Sequence, residues 1–150
     1  MMYVKYLRQL IRHKWFVFLA ARRLGITWLG VIHDLSKFKP SEFVPYARFF
    51  YGGNDKCWWI KDDFDTAWNH HQKRNRHHWQ YWMLTNDSDE PQTVCLFMPD
   101  KYRKEMIADW CGAGRAYGNP DTLGWYKEHR EKIHLHADAR WILEQELREL

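Results

Sequence analysis

The sequence predicts an all-α, single-domain bundle of helices, with at most one short β-hairpin in the loop 85–98. Apolar residues recur at helical spacing over most of the chain, and glycines and prolines separate the periodic stretches. A length of 150 residues with 45% hydrophobic content is enough for one buried core. We expect a core of helices over about residues 2–117, followed by structural helices over 121–149.

Glycines, prolines and capping residues set the boundaries of the predicted helices. Gly25 closes the first helix, Pro40 follows the second, and the run Gly52-Gly53-Asn54 ends the third. The loop 85–98 contains one strand-like stretch, Val94-Cys95-Leu96-Phe97. The predicted helices are 2–24, 27–37, 41–51, 63–84, 100–117, a helix that starts at 121, and 137–149.

The composition favours a cytoplasmic protein with an anionic small-molecule partner. The three cysteines lie far apart and form no C-x-x-C pair, which is typical of a reducing compartment. No convincing signal peptide and no apolar run of membrane-spanning length is present, so we expect no membrane partner. A net charge of +4 suits a nucleotide-like ligand but is too small to indicate duplex DNA. The oligomeric state stays open.

The pair His33-Asp34 is the strongest indication of function. On the predicted second helix it offers an imidazole and a carboxylate to one metal ion, and Lys37 follows one turn later, where it can meet an anion. On the first helix, His13 lies on the apolar stripe and therefore faces the core. A histidine hydrogen-bonded to a core carbonyl would explain His13 equally well.

The fourth and fifth long helices supply further candidates. His71 and His78 lie two turns apart on one face of the predicted helix 63–84, whereas His70 and His77 point elsewhere and are expected on the outside or behind the ligands. Asp109 faces inward, where a lone carboxylate is costly unless it is paired, for example with Arg115, or bound to a metal. The sequence leaves open whether His70 or His77 replaces one of its neighbours. Because three helices each send His or Asp inward, a metal site is the favoured interpretation.

The order His13, His33-Asp34, Asp109 resembles the HD-domain superfamily of metal-dependent phosphohydrolases, which are all-helical. The form His33-Asp34-x-x-Lys37 is similar to the two-metal branch of that superfamily, in which two further histidines, here His71 and His78, precede the last Asp. The whole chain is also similar to an uncharacterised group of short phage and bacterial proteins. For a phage protein, the compartment would be the cytoplasm of the bacterial host. That second similarity rests on three stretches, 33–38, 75–79 and 109–115.

The resemblance implies one or two divalent ions, drawn from Fe, Mn, Zn, Co or Ni. The first would be held by His13, His33, Asp34 and Asp109, and the second by Asp34, His71 and His78. The implied reaction is hydrolysis of a nucleotide or other phosphate ester by a metal-activated water. We expect Lys37 to hold a phosphate oxygen and Arg115 to clamp a second phosphate. Glu42 or Glu105 is expected to act as general acid or as a carboxylate behind a ligand. The candidates for stacking on a base are Trp68, Trp79, Trp82 and Trp110.

Three alternatives remain open. Some HD-type proteins with two irons are oxygenases that cleave C–C or C–P bonds, and this chain would share their ligands. A small, basic, tryptophan-rich binding protein with structural histidines would need no metal. A phage factor that binds a host or defence protein is the last alternative, and no motif argues for or against it.

Overall fold

The computed structural model describes residues 1–53, 57–87, 89 and 92–150. Within these ranges the chain forms seven α-helices and one antiparallel hairpin, which confirms the predicted all-α fold. The elements are α1 (Met2–Arg23), α2 (Thr27–Ile32), α3 (Pro40–Tyr51), α4 (Trp58–Arg74), β1 (Met83–Thr85), β2 (Thr93–Cys95), α5 (Asp100–Tyr117), α6 (Thr122–His129) and α7 (Ala137–Arg148), with 3₁₀ turns at Leu35–Phe38, Trp79–Trp82 and Arg130–Lys132.

Most of the predicted boundaries are confirmed. Helix α1 ends two residues before Gly25, which has φ of +75°, and α5 ends one residue before Gly118, which has φ of +86°. The hairpin lies close to the predicted position, with Leu84 opposite Val94. Helix α3 begins at Pro40, which suits the first turn because that turn needs no N–H donor. Its predicted stop included Asn54, which lies outside the described residues.

The predicted helix 27–37 is wrong in its second half. Helix α2 ends at Ile32, and Asp34 adopts left-handed backbone angles (φ 53°, ψ 25°) before the chain enters a 3₁₀ turn. Aspartate tolerates this conformation better than most residues because its short side chain is polar. Lys14 of α1 donates to the carbonyls of Val31 (3.2 Å) and His33 (2.5 Å), which satisfies the end of the short helix. The His-Asp pair therefore lies at a sharp turn and not within a helix.

The predicted helix 63–84 is also wrong at both ends, because α4 begins at Trp58 and ends at Arg74, and the backbone is extended at Asn75. The Asn75 side chain donates to the carbonyl of His71 (2.9 Å) and to Ser36 Oγ (3.2 Å), so it ties the end of α4 to the turn that follows α2. His77 and His78 then lie in a tight turn and not two turns along a helix. Both therefore approach His71 from the following segment.

Close packing of α1 on α5 positions the site. A Cβ built on Gly112 would lie 2.4 Å from Val17 Cγ2 and 2.8 Å from Val17 N, so only glycine allows the two helices to approach this closely. The same contact brings His13 of α1 against Asp109 of α5. None of the described helices combines the length and hydrophobicity that a membrane span requires.

Two apolar cores flank this contact. The N-terminal core joins α1, α3 and α4 through Tyr6, Leu10, Tyr46, Ala47 and Ala67. The C-terminal core joins α5 to α6 and α7 and is formed by Met98, Met106, Ile107, Tyr126, Ile133, Leu135, Leu143 and Leu147.

Candidate metal centre

Five histidines and two aspartates from separate segments meet between the two cores. We call this set the histidine cluster; its members are His13, His33, Asp34, His71, His77, His78 and Asp109. They form two overlapping groups, His13-His33-Asp34-Asp109 and Asp34-His71-His77-His78, in each of which the candidate ligand atoms lie within 4.8 Å of one another. The groups share Asp34, so this carboxylate stands at the centre of the cluster.

The two oxygens of Asp34 face different groups. Oδ2 lies 3.4 Å from His33 Nε2, whereas Oδ1 lies 3.3 Å from His71 Nε2 and 3.4 Å from His77 Nε2. Asp109 Oδ1 lies 3.1 Å from His13 Nε2 and 3.3 Å from His33 Nε2. Ligands bonded to one ion at about 2.0–2.2 Å are roughly 3.0–3.5 Å apart. The spacing within the cluster is thus that of atoms around a common ion.

These atoms lack other partners. Within the described part of the chain, the buried Nε2 atoms of all five cluster histidines and both oxygens of Asp34 make no hydrogen bond of normal geometry, although Lys37 Nζ lies 2.6 Å from Asp34 Oδ2. A buried polar atom without a partner costs about 1–3 kcal/mol. Seven such atoms facing one another are unexpected in a structural core, whereas ligation by a metal would satisfy them all.

Two glutamates contact the Nδ1 atoms of three imidazole rings, on the side of each ring away from Nε2. The Nδ1 groups of His33 (3.1 Å) and His77 (3.3 Å) both reach Glu105 Oε1, and His71 Nδ1 lies 2.7 Å from Glu42 Oε2. An imidazole that donates from Nδ1 to a carboxylate presents the lone pair of Nε2 on its other side, as metal ligands commonly do. Burial alone would raise the pKa of both glutamates. The hydrogen bonds from His33 and His77 lower the pKa of Glu105 below its usual value, and the hydrogen bond from His71 does the same for Glu42.

The cluster attracts positive charge. Burial raises the pKa of Asp34, but His33 and then Lys37 lower it well below its usual range. In the same way His13 and His33 overcome burial to lower the pKa of Asp109. For His33 itself, burial acts to lower the pKa, but Asp34 and Asp109 raise it well above the ordinary value. The carboxylates therefore stay ionised and favour a cation between them.

His78 differs from the other rings. Its pKa is lowered well below the ordinary value, first by burial and then by repulsion from His77 and His71. A neutral ring with an unpartnered Nε2 is a competent metal ligand.

A pocket of about 320 Å³ opens onto the cluster, and we call it the aromatic pocket. Its wall includes His13, His78 and Asp109 of the cluster, which we call its inner end, and also Lys37. Burial acts to lower the pKa of Lys37, but the carboxylates of Asp34 and then Asp109 raise it above the ordinary value, so the ammonium keeps its charge. The rest of the wall consists of Tyr6, Gln9, Leu10, Tyr46, Phe50, Tyr51, Phe64, Trp68, Ala113 and Tyr117.

The structure brings together all six histidines and aspartates that the sequence singles out as ligands, and it adds His77. The expectation that His77 lies on the outside or behind the ligands is wrong, because α4 ends three residues earlier and the His77 ring is buried in the cluster. Asn75, a residue that often ends helices, was the available signal. His70 does lie on the exposed side of α4, where it contacts Arg74.

The expectation for Arg115 needs correction, and the structure favours one of the two alternatives for Glu42. Arg115 lines a separate cavity with Arg23, Leu24 and Cys111, because six residues after Asp109 a helical side chain points about 120° away around the helix axis. It therefore cannot clamp a phosphate at the cluster or pair with Asp109. Glu42 is fully buried behind His71, and its oxygens also contact Ser36 and Arg74, so it holds His71 and does not act as a general acid toward a substrate.

The four tryptophans considered for base stacking divide between two places. Trp68 lines the aromatic pocket and stacks on His71 with ring centroids 5.8 Å apart. Trp79, Trp82 and Trp110 pack against the C-terminal core instead. Only Trp68 of the four can contact a ligand in this pocket.

Comparison with known proteins gives a family without an assigned activity. Residues 2–149 match the family described as "Family of unknown function (DUF5662)", and the chain therefore belongs to it. No curated protein and no solved structure matches the chain.

Proposed function

We propose that this member of the family binds two divalent metal ions in the histidine cluster and hydrolyses a phosphate ester, nucleotide-like or other, in the aromatic pocket. The observation that carries the proposal is the set of buried, unpartnered Nε2 and carboxylate atoms that face one another at 3.1–3.4 Å around Asp34. Their convergence accounts for a burial cost that hydrogen bonding leaves uncompensated.

His13, His33, Asp34 and Asp109 would hold the first ion, and Asp34, His71, His77 and His78 the second. Imidazole and carboxylate donors without a thiolate suit Fe, Mn, Zn, Co or Ni. When bound, such a pair of ions supplies an activated water and neutralises the charge that develops on a phosphoryl group.

The protein side chains have separate tasks in this reaction. Glu105 and Glu42 keep the rings of His33, His77 and His71 turned toward the ions. Lys37 remains charged beside the inner end of the pocket, where it can bind a phosphate oxygen. The burial of Asp34 and His71 keeps bulk water away from the reacting centre and so strengthens each of these electrostatic contacts.

The linear order of the ligands also supports the proposal. The resemblance to HD-domain phosphohydrolases rests on His13, His33-Asp34 and Asp109, and these residues meet in one group of four. Lys37, the last residue of the His-Asp-x-x-Lys form, is paired with Asp34.

The test is release of inorganic phosphate from a panel of phosphate monoesters and diesters, with protein reconstituted separately with each candidate metal. Asp34→Asn keeps the shape of the side chain and tolerates the left-handed backbone, so it removes the charge with little strain. We expect at least a hundredfold loss of phosphate release in this variant. The matched control is Asp65→Asn on the exposed side of α4, where Asp65 pairs only with Lys61 among the described residues.

The result that would overturn the proposal is a fully metal-loaded protein that releases no phosphate from any ester in the panel. Bound iron with oxygen consumption in such a protein would instead favour the oxygenase alternative. Equal phosphate release from Asp34→Asn and the wild type would assign the activity to a contaminant.

A further inference from the structure

The wall of the aromatic pocket contains polar atoms that the histidine cluster does not use. The hydroxyls of Tyr6 and Tyr46 and the amide nitrogen of Gln9 are buried and have no hydrogen-bond partner within the described part of the chain. Both tyrosines are at least nine-tenths buried, with 6% and 5% of their surface exposed. All three residues line the pocket. Unpartnered donors in the wall of a pocket indicate a ligand that brings acceptors.

These tyrosines lie next to the reacting end of the pocket. The Tyr46 ring lies 5.8 Å from Lys37 Nζ and 6.2 Å from the ring of His71, measured between ring centroids in the second case. Tyr6 packs beside it, with ring centroids 6.1 Å apart. Burial raises the pKa of both phenols above the ordinary value, so the hydroxyls keep their protons and remain donors.

The charge of the wall limits the number of phosphates. Among the described lining residues Lys37 is the single permanent cation, and it is already paired with Asp34. Arg115, the residue expected from the sequence to bind a second phosphate, lines a different cavity. A diphosphate or triphosphate would therefore place its additional charge against aromatic rings and neutral donors, where no further cation among the described lining residues compensates its lost hydration.

The size and chemistry of the wall indicate the organic part of the ligand. At about 320 Å³ the pocket is near the lower limit of roughly 300 Å³ for ligand sites. Rings of Phe64, Trp68 and Tyr117 line the same pocket as Lys37. Flat aromatic groups fill such a space well because ring–ring contacts add to the area that they bury.

We propose that the pocket selects a phosphate monoester of a compact aromatic group, that Tyr6 and Tyr46 donate hydrogen bonds to its phosphate or ester oxygens, and that it discriminates against diphosphates. The inference rests on the proposed function, since it names the substrate class of the same site. Gln9 supplies a third donor from the same helix as Tyr6.

The experiment is calorimetric titration of the metal-loaded protein with non-hydrolysable and matched probes. Phenylphosphonate is compared with methylphosphonate to test the aromatic group, and the non-hydrolysable phosphonate analogues of AMP and ADP are compared to test the second phosphate. We expect phenylphosphonate to bind at least tenfold more tightly than methylphosphonate, and the AMP analogue more tightly than the ADP analogue. Equal affinity within the first pair, or tighter binding of the ADP analogue, would overturn the proposal.

Tyrosine variants test the two donors. Tyr6→Phe and Tyr46→Phe should each weaken phenylphosphonate binding roughly tenfold, since each removes a hydrogen bond to a charged group. Metal content and thermal stability should not fall, because neither hydroxyl has a partner in the free protein. Tyr3→Phe is the control, since Tyr3 lies on α1 but is 39% exposed and outside the pocket. Wild-type affinity in both pocket variants would refute the role of the hydroxyls.

The outcomes separate this inference from the proposed function. If phenylphosphonate binds with the expected preference and tyrosine dependence but phenyl phosphate is not hydrolysed, the hydrolase proposal fails and the inference stands. If phosphate is released without any effect of the two tyrosines, the inference fails and the hydrolase proposal stands.

Discussion

Helix α5 contributes to two buried regions of opposite character. Met106 and Ile107 belong to the C-terminal core, whereas Glu105 and Asp109 face the histidine cluster. Burial stabilises the first region directly, at about 25 cal/mol for each Å² of apolar surface removed from water. In the cluster, burial of charge is costly unless a partner compensates it. One side of α5 therefore packs into a stable apolar core, while its other side contributes charged residues to a site whose burial a bound ligand would compensate.

The two regions also differ in how completely their buried charged groups are paired. Arg103, only 2% exposed, lies on the side of α5 that faces α7, and it donates to Glu146 from Nε (2.7 Å) and Nη2 (3.1 Å) and also contacts Asp100. This charge is fully paired by the protein itself. Asp34 is as deeply buried, but within the described part of the chain its one cationic partner is Lys37, beside Oδ2, whereas Oδ1 faces only the rings of His71 and His77. Neither oxygen accepts a hydrogen bond of normal geometry there, so the protein satisfies Asp34 less completely than Arg103, and this difference favours a bound ligand in the cluster.

Removal of metal should have the largest effect on stability. Ions that bind only the folded chain stabilise it by about 4 kcal/mol when the free metal concentration is a thousand times the Kd. We expect urea unfolding of the metal-loaded protein to shift to lower urea after dialysis against a chelator. Asp34→Asn should show no such shift. Superimposable unfolding curves for the loaded and dialysed wild type would contradict the claim that a metal compensates the buried charge of the cluster.

Truncation of the C-terminal core should reduce stability without affecting the ligands. Leu143 of α7 is fully buried, so Leu143→Ala should lower the free energy of unfolding by about 2–5 kcal/mol. The folded variant should retain its full metal content, which elemental analysis measures. Leu150→Ala, at a residue that is 59% exposed, is the control and should change little. Loss of metal from folded Leu143→Ala would show that the two regions are not separate.

The two supporting glutamates should differ in how many metal-binding steps they affect. Glu105 accepts from one ring of each metal group, His33 and His77, whereas Glu42 holds only His71. Loss of such a carboxylate typically weakens metal affinity about 10–100-fold. We expect Glu105→Gln to weaken both binding steps and Glu42→Gln only one, in a competition titration against a chelating dye. Two weakened steps in Glu42→Gln would contradict this assignment.

The smallest effect concerns acid stability on the C-terminal side. Burial raises the pKa of Glu144, but hydrogen bonds from Arg130 (2.8 Å) and Tyr126 (2.9 Å) lower it below the usual value. Its stabilising contribution is therefore complete above the unfolded-state pKa of about 4.3 and is lost as the pH falls through the lower folded-state value. Metal-free Glu144→Gln should lose less stability than the metal-free wild type below about pH 4. Parallel pH profiles would show that Glu144 contributes nothing.

The helical spacing of apolar residues, together with the glycines and prolines that separate the helices, is enough to predict most of the fold. The stripe that contains His13 and the inward face of α5 that contains Asp109 follow directly from helical spacing, and both side chains meet as ligands do. The two errors, at 33–37 and 75–84, occur where single side chains end a helix through tertiary contacts. Lys14 satisfies the carbonyls at the end of α2, and Asn75 bonds to Ser36 from another segment. Periodicity within one segment contains no information about such contacts.

The same limit explains the residues that sequence analysis missed at the site. His77 was placed on the wrong side because its position depends on where α4 ends. The proposed roles of Tyr6 and Tyr46 depend on hydroxyls that have no hydrogen-bond partner among the described residues, which only the assembled wall reveals. Glu105 was a candidate from its place on the inward face of α5, but its contact with two rings required the structure.

Metal content in three proteins tests the central claim most directly. Elemental analysis of the reconstituted wild type should find two equivalents of one transition metal. Asp109→Asn, which alters only the first group, should keep one equivalent, and Asp34→Asn, which alters the shared carboxylate, should keep neither. A folded wild type that takes up no metal under any reconstitution condition would contradict the account.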